Sequence, residues 1–286
     1  MAPLGVVAII GAVASIVAYS HRTTTSVRVN CQFAVSLLSW ALLWYATASP
    51  FAAQGMASLP KHMIGHILVM FIVPIGLIWS SSLRSLWWLF GATSRRRLLS
   101  WWYLQRTWRA PEWLFNIVVA TVVINVVMVS SHLPGVFDYV MARDWMMQWL
   151  VEPAFLLSGL FFFHFIVSSP PRVPHAKLRY QLLGLIVTLF EMLMLAMSMS
   201  IFTQSSWYSV MVMHAGMANM PDMSEMARSA TVAFSQQRLA AGILWICGDG
   251  WAVPCLILVL HRAIKRDGSI FSILERHASR LSGVSG

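Results

Sequence analysis

Seven long apolar runs limit this chain to one kind of fold. Each run is about 17 to 25 residues long, the length that a helix needs to cross a hydrocarbon core about 30 Å thick. The bilayer core holds no water, so each run must form a helix that satisfies its own backbone hydrogen bonds. The sequence therefore predicts an all-α polytopic membrane bundle of seven transmembrane helices, with spans near 3–20, 32–49, 62–80, 112–131, 145–168, 180–203 and 238–261.

The composition agrees with a membrane protein. The chain is 58% hydrophobic and only 10% charged, whereas about 25% of the residues of a soluble globular domain are charged. We expect residues 1–286 to form a single integral membrane domain, in which residues 262–286 are a basic cytoplasmic tail.

The net charge of +10 has a topological explanation and does not require nucleic acid as a partner. Lys and Arg number 20, and almost all of them fall in the loops and the tail on one side of the predicted bundle. The exceptions are Lys61, Arg143, Arg228 and Arg238. Because basic residues collect on the cytoplasmic side of a membrane, this bias predicts an N-terminus outside and a C-terminus in the cytoplasm.

A pair of histidines stands at the outer end of the third predicted span. His62 and His66 are four residues apart, and Met70 follows four residues later, so the three share one helical face. Imidazole binds copper in either oxidation state, and thioether sulfur, as in Met70 and the adjacent Met63, favours Cu(I). A lone interfacial histidine usually hydrogen-bonds to headgroups or water, but ionisable residues within a span commonly mark a functional site. The pattern therefore predicts copper ligands.

Further donors lie on the same predicted outer side. His132 ends the fourth span, and Glu152, slightly below the surface in the fifth, could join His66 as a ligand or as an acceptor behind it. The longest predicted outer loop, residues 204–237, is rich in methionine, which also packs in many environments without binding metal. Its possible additional ligands are Met211, Met213, His214 and Met217.

Three polar residues fall well inside the spans. Glu191 and Asp249 lie near the middle of the sixth and seventh spans, and Asn125 lies within the fourth. A charge at the bilayer centre costs about 2.5–3.5 kcal/mol, so each carboxyl should be protonated, paired or turned toward a cavity. Asn125 is a candidate partner. A structural role and a functional role both remain open, and the functional one would favour a transporter of copper or another small solute.

Three sequence blocks occur in order between about residues 56 and 262. They are 62–66 with Pro74, then 132–134 with Phe137, Asp138 and Tyr139, then 236–245. Together they resemble the motifs of CtaG-type cytochrome c oxidase assembly proteins. The chain departs from that pattern at Gln148 and Pro153, where the family often has histidines.

The resemblance implies an assembly factor for a haem–copper terminal oxidase in the bacterial inner membrane, not an enzyme. It implies a metallochaperone that is embedded in membrane lipid. This protein would handle copper at the outer face for oxidase subunits or other assembly factors. A cytochrome b-type haem protein would need facing histidine pairs within the spans, and a retinal protein would need an intramembrane Lys. Neither pattern occurs, so no haem is expected. The oligomeric state stays open.

Overall fold

The computed structural model describes residues 2–22, 26–55, 57–89, 116–167, 176–209 and 223–267. These ranges are almost entirely helical and contain no strand. A short 3₁₀ turn, Leu86–Leu89, follows the fifth described helix. In chain order the described helices are α1 (Pro3–Ser20), α2 (Val27–Ala48), α3 (Pro50–Gly55), α4 (Leu59–Trp79), α5 (Ser82–Ser85), α6 (Ile117–His132), α7 (Pro134–Met141), α8 (Asp144–Val167), α9 (Leu178–Ser200) and α10 (Met223–Asp267).

Six described helices are long and apolar enough to cross a membrane: α1, α2, α4, α8, α9 and the Ser229–Lys265 part of α10. Helices α6 and α7 meet the same requirement only as a pair, and the chain bends by 74° between them. The prediction of an all-helical membrane protein is confirmed, with six spans among the described residues, or seven if the bent pair counts as one.

The last helix corrects one prediction about the loops. The segment 204–237 was expected to be an outer loop, but α10 begins at Met223, so 223–237 is helical. The loop was inferred from low hydropathy, which measures preference for lipid, whereas Ala, Met and Gln, which favour helix, make up seven of the fifteen residues in 223–237. The helix ends at Asp267, and residues 268–286 of the predicted tail lie outside the described residues.

Small residues bring the helices close together. On α1, Gly11 faces the Trp40 ring of α2, and the Trp40 indole N–H donates to Ser15 Oγ at 3.2 Å. On α8, Gly159 faces the Met70 carbonyl oxygen of α4. Because Gly and Ser let two backbones approach closely in a membrane, α4 and α8 pack tightly beside the candidate site.

Two π-helical turns interrupt the helices that carry the candidate site. One is Leu68–Ile72 in α4, just after His66, and the other is Met147–Val151 in α8, just before Glu152. A π-turn closes its hydrogen bonds over one more residue than an α-turn, and such turns are frequent at functional sites. The regular spacing expected for His62, His66 and Met70 is therefore interrupted at Leu68.

Candidate metal centre

Three histidines meet at one end of the bundle. His62 and His66 lie on the first turns of α4, and His132 is the last residue of α6. The ring centroids of His62 and His66 are 4.0 Å apart, and those of His66 and His132 are 5.5 Å apart. All three side chains are buried, with exposed fractions of 5%, 9% and 2% respectively. We call these three residues the histidine cluster.

The ring of His132 is fixed in one tautomer. Its Nδ1 lies 2.7 Å from the Met128 carbonyl oxygen, one turn earlier on α6. A carbonyl oxygen can only accept, so Nδ1 carries the proton and Nε2 carries a lone pair. That Nε2 lies 3.3 Å from Met63 Sδ, so in the neutral ring with Nδ1 protonated a nitrogen lone pair faces the sulfur. Metal-binding histidines commonly donate their second nitrogen to a carbonyl in this way.

His66 lies at the centre of the histidine cluster without a hydrogen bond. Among the described residues, neither of its ring nitrogens has a hydrogen-bond partner, and the same holds for the buried Glu152 Oε2. His62, His66 and Glu152 line one small pocket together with Met147. Buried polar atoms are normally paired, so unpaired ones need an explanation. A ligand in this pocket would provide it.

The donors are close but not converged. Across the described ranges, no group of three or more His, Cys, Asp or Glu side chains is arranged to hold a metal ion. The chemistry of the set nevertheless fits a soft or borderline ion, because imidazole and thioether are its preferred ligands. Side-chain rotation of His62 and His66 would be needed to complete a shared site around His132 and Met63.

Aromatic rings enclose the histidine cluster. Phe155 of α8 packs edge-on against His66, with centroids 4.4 Å apart, and Phe137 of α7 packs against His62 at 5.3 Å. Tyr208 stacks on Phe137 at 4.0 Å and donates its hydroxyl proton to the His132 carbonyl oxygen at 3.2 Å. Burial, and secondarily the charge of Asp138, raises the pKa of Tyr208, so this hydroxyl remains a donor. We call Phe137 and Tyr208 the roof.

Two polar residues fasten the roof. The backbone N–H and the hydroxyl of Ser209 both donate to Asp138 Oδ2, at 3.1 and 2.6 Å. Gln237 of α10 is fully buried. Its Oε1 accepts from the Trp207 N–H at 2.7 Å, and its Nε2 donates to the Met199 carbonyl oxygen at 2.8 Å. The segment that carries Tyr208 is thus tied to α7, α9 and α10.

The sequence reasoning missed several of these roles. Phe137, Asp138 and Gln237 entered only as members of motif blocks, and the structure places them in or under the roof. Tyr208 and Phe155 were not singled out. For Tyr208 a signal was available in the sequence. It is a tyrosine within Ser205-Ser206-Trp207-Tyr208, a segment expected to be a polar loop.

The proposed methionine ligands fall in different places. Met63 is buried and contacts His132 through its sulfur. Met70 is also buried, but it lies within the π-turn of α4, and its carbonyl faces Gly159 of α8. The remaining donors suggested by the sequence lie outside the described residues: Met211, Met213, His214 and Met217.

The intramembrane polar residues do not form one pathway in the described residues. Asn125 donates to Thr188 Oγ1 at 3.1 Å and to the Thr121 carbonyl, which links α6 to α9. Both carboxyl oxygens of Glu191 are buried and have no hydrogen-bond partner among the described residues. Asp249 is exposed on α10. The transporter alternative therefore gains no support here.

The comparisons with known proteins identify one family. The family described as cytochrome c oxidase caa3 assembly factor (Caa3_CtaG) matches residues 13–266 of the chain. No curated protein and no solved structure matches.

Proposed function

We propose that this chain, which belongs to the cytochrome c oxidase caa3 assembly factor family (Caa3_CtaG), binds copper at the histidine cluster and passes it on during oxidase assembly. Copper is the cargo in this role, and the role is non-catalytic. The proposed partners are oxidase subunits or other assembly factors in a bacterial inner membrane. The bias of basic residues toward one side of the bundle supports an outer-face location for the histidine cluster, away from the cytosol.

One contact carries the proposal. The unprotonated Nε2 of His132 and Sδ of Met63 face each other at 3.3 Å, and both side chains are buried. At the bond lengths of a tetrahedral zinc site, a nitrogen and a sulfur ligand of one ion stand about 3.5 Å apart. The observed separation is thus close to that of two ligands sharing an ion. Two facing lone pairs have little other reason to be buried together.

The remaining donors suit reversible binding. His66 lies within ring contact of both His62 and His132, so imidazoles could replace one another around an ion as it enters or leaves. Thioether and imidazole are neutral ligands that favour Cu(I) over hard ions. The roof and Phe155 keep bulk water away, which protects a bound Cu(I) from oxidation and from competing ligands. Glu152 stands at the pocket as an additional oxygen donor.

A competition titration tests the binding step. Purified protein is titrated with Cu(I) under anaerobic conditions against a chelator of known affinity. The His62→Ala, His66→Ala double variant should bind at least about 100-fold more weakly than the parent. His164→Ala, a histidine of α8 far from the histidine cluster, should bind like the parent. If the double variant binds as tightly as the parent while remaining folded by circular dichroism, copper binding by the histidine cluster is refuted.

A deletion strain tests the link to the oxidase. Loss of the gene should lower the copper content and activity of the terminal oxidase while its haem content persists. The parent gene should restore both, and the double-histidine variant should restore neither. If that variant fully restores the copper content and activity of the oxidase, oxidase assembly does not depend on the histidine cluster.

A further inference from the structure

One exposed face of α10 differs from the other membrane-facing surfaces. Its residues recur every three or four positions, so they lie on one side of the helix. Ile246, Ile257 and Leu239 are the most exposed, at 74%, 61% and 60%. We call this surface the Asp249 face. It consists of Leu239, Gly242, Ile246, Asp249, Gly250, Val253 and Ile257.

Asp249 is out of place on a surface that contacts lipid. It lies near the middle of the apolar stretch Ser229–Lys265 and is exposed. Hydrocarbon can neither hydrate a carboxylate nor hydrogen-bond to a carboxylic acid, so an ionisable group at this depth normally faces protein or water. Near the middle of the other apolar helices, the exposed side chains are apolar, such as Ile186 and Phe190 of α9 and Leu157 of α8.

Two glycines of the Asp249 face have empty space above them. A Cβ atom added to Gly242 or to Gly250 would meet nothing within 4 Å. Elsewhere in the bundle, glycines such as Gly11, Gly159 and Gly184 face a neighbouring helix. Small residues on a membrane helix let a second backbone approach closely. The Asp249 face therefore has the shape of a helix-packing surface without a described partner.

We propose that the Asp249 face docks a transmembrane helix of another membrane protein, and that this helix presents a Lys or Arg to Asp249. The pairing satisfies the carboxylate and supplies the missing neighbour of Gly242 and Gly250. The partner's basic residue would face the same difficulty in lipid as Asp249, so association satisfies both charges.

A second copy of this chain fits the surface poorly. A symmetric contact through the same face brings Asp249 against Asp249, which places like charges together. An asymmetric contact needs a basic residue at the same depth on another face. Among the described residues, Lys and Arg lie near helix ends or between helices, except Arg238, which lies inside α10 about three turns before Asp249 and therefore at a different depth. Charge complementarity thus favours a different chain.

Photo-crosslinking in native membranes tests this surface independently of copper binding. The full chain carries p-benzoylphenylalanine in place of Ile246 and, in two control proteins, in place of Phe190 or Leu157, which are 60% and 64% exposed. The Ile246 probe should form an adduct with a transmembrane segment of another protein, and the crosslinked peptide should contain Lys or Arg within one turn of the level of Asp249. The control probes should not capture that segment.

Variants of the face then test the charge pair. In the Ile246-probe protein, Asp249→Leu should reduce the yield of the adduct about tenfold. Gly250→Leu should also reduce it, because the leucine side chain would fill the empty space above Gly250. Asp249→Lys should abolish the adduct, and changing the partner's basic residue to Asp should restore it. Cu(I) binding should persist in Asp249→Leu, so failure here and failure of the copper proposal are distinguishable.

Any of four outcomes overturns the proposal: an adduct with a second copy of this chain, a captured segment without a basic residue at that level, no protein adduct above the controls, or an adduct insensitive to both Asp249→Leu and Gly250→Leu.

Discussion

The histidine cluster and the Asp249 face treat polar groups within membrane-spanning helices in opposite ways. His66 and His132 are enclosed by aromatic rings and by the roof, with lone pairs turned inward. Asp249 is turned outward, with empty space beside two glycines of the same face. An enclosed set of unpaired donors suits a small ligand such as the proposed ion, whereas an open carboxylate on a helix face suits the proposed partner helix. A ligand expected inside the bundle must be small, whereas a partner expected on the surface of α10 can be a whole protein.

The difference also predicts which substitutions the folded chain will tolerate. Enclosed groups are held by specific hydrogen bonds and close contacts, so changes there should lower stability or copper affinity. Changes on the Asp249 face should leave the isolated protein nearly unaffected.

The largest expected loss of stability comes from Gln237→Leu. This change removes the hydrogen bonds to the Trp207 N–H and the Met199 carbonyl. Leaving such backbone groups without partners should lower the free energy of unfolding by about 2–3 kcal/mol. Unfolding of detergent-solubilised protein followed by circular dichroism measures it. The control Ser235→Ala, at an exposed neighbouring position, should change the free energy of unfolding by less than about 0.5 kcal/mol. If Gln237→Leu is as stable as this control, Gln237 does not fasten the roof.

Two glycines allow a direct comparison of an enclosed interface with the open face. In Gly159→Ala, the new Cβ would press on the Met70 carbonyl oxygen and on the Pro74 ring, so α4 and α8 must separate slightly. We expect a loss of about 1–3 kcal/mol. In Gly250→Ala the Cβ meets nothing, and the lower entropy cost of Ala should leave stability unchanged or raise it by up to about 1 kcal/mol. A comparable loss in both variants would remove the distinction between the two regions. Thermal unfolding of the two proteins side by side decides it.

Met63→Leu separates ligand chemistry from packing. Leucine fills nearly the same volume, so stability should change by less than about 1.5 kcal/mol. Loss of the sulfur opposite His132 Nε2 should weaken Cu(I) binding about tenfold, which corresponds to about 1.4 kcal/mol. Competition titration measures the affinity. Met194→Leu, on the exposed side of α9, serves as the control, and parent-like affinity in Met63→Leu would remove Met63 from the site.

The smallest effect is expected for Tyr208→Phe. The ring still packs against Phe137, and the hydroxyl loses its hydrogen bond to the His132 carbonyl and its 4.0 Å contact with Met199 Sδ. Stability should fall by about 1 kcal/mol, with the roof in place. The exposed Tyr139→Phe should have no measurable effect. A loss no greater than that of Tyr139→Phe would mean that the stacking alone holds the roof.

Local periodicity predicted the helices and the first part of the site. Apolar runs of sufficient length determined the spans, and a four-residue spacing was enough to place His62 and His66 together on α4. The start of α10 at Met223 was not predictable from hydropathy, because helix formation and lipid solubility are different properties.

Long-range packing determined what the sequence could not predict. Met63 contacts His132 because α6 ends beside α4, a relation between residues far apart in the chain. Met70 leaves the predicted stripe because of a π-turn, which depends on how α4 packs against α8. Tyr208 reaches the histidine cluster through the fold of the segment after α9, and its own neighbours in sequence do not reveal this.

The bend between α6 and α7 has an electrostatic consequence. Because α6 ends at His132, the C-terminal end of this helix lies at the histidine cluster. The aligned peptide dipoles of a helix place roughly half a negative charge at its C-terminus. That pole attracts a cation and repels an anion at the same spot. An unbent helix through Met141 would carry its negative pole beyond the histidines, whereas the bend at Leu133 keeps the negative pole of α6 at His132, opposed in part by the positive N-terminal pole of the eight-residue α7.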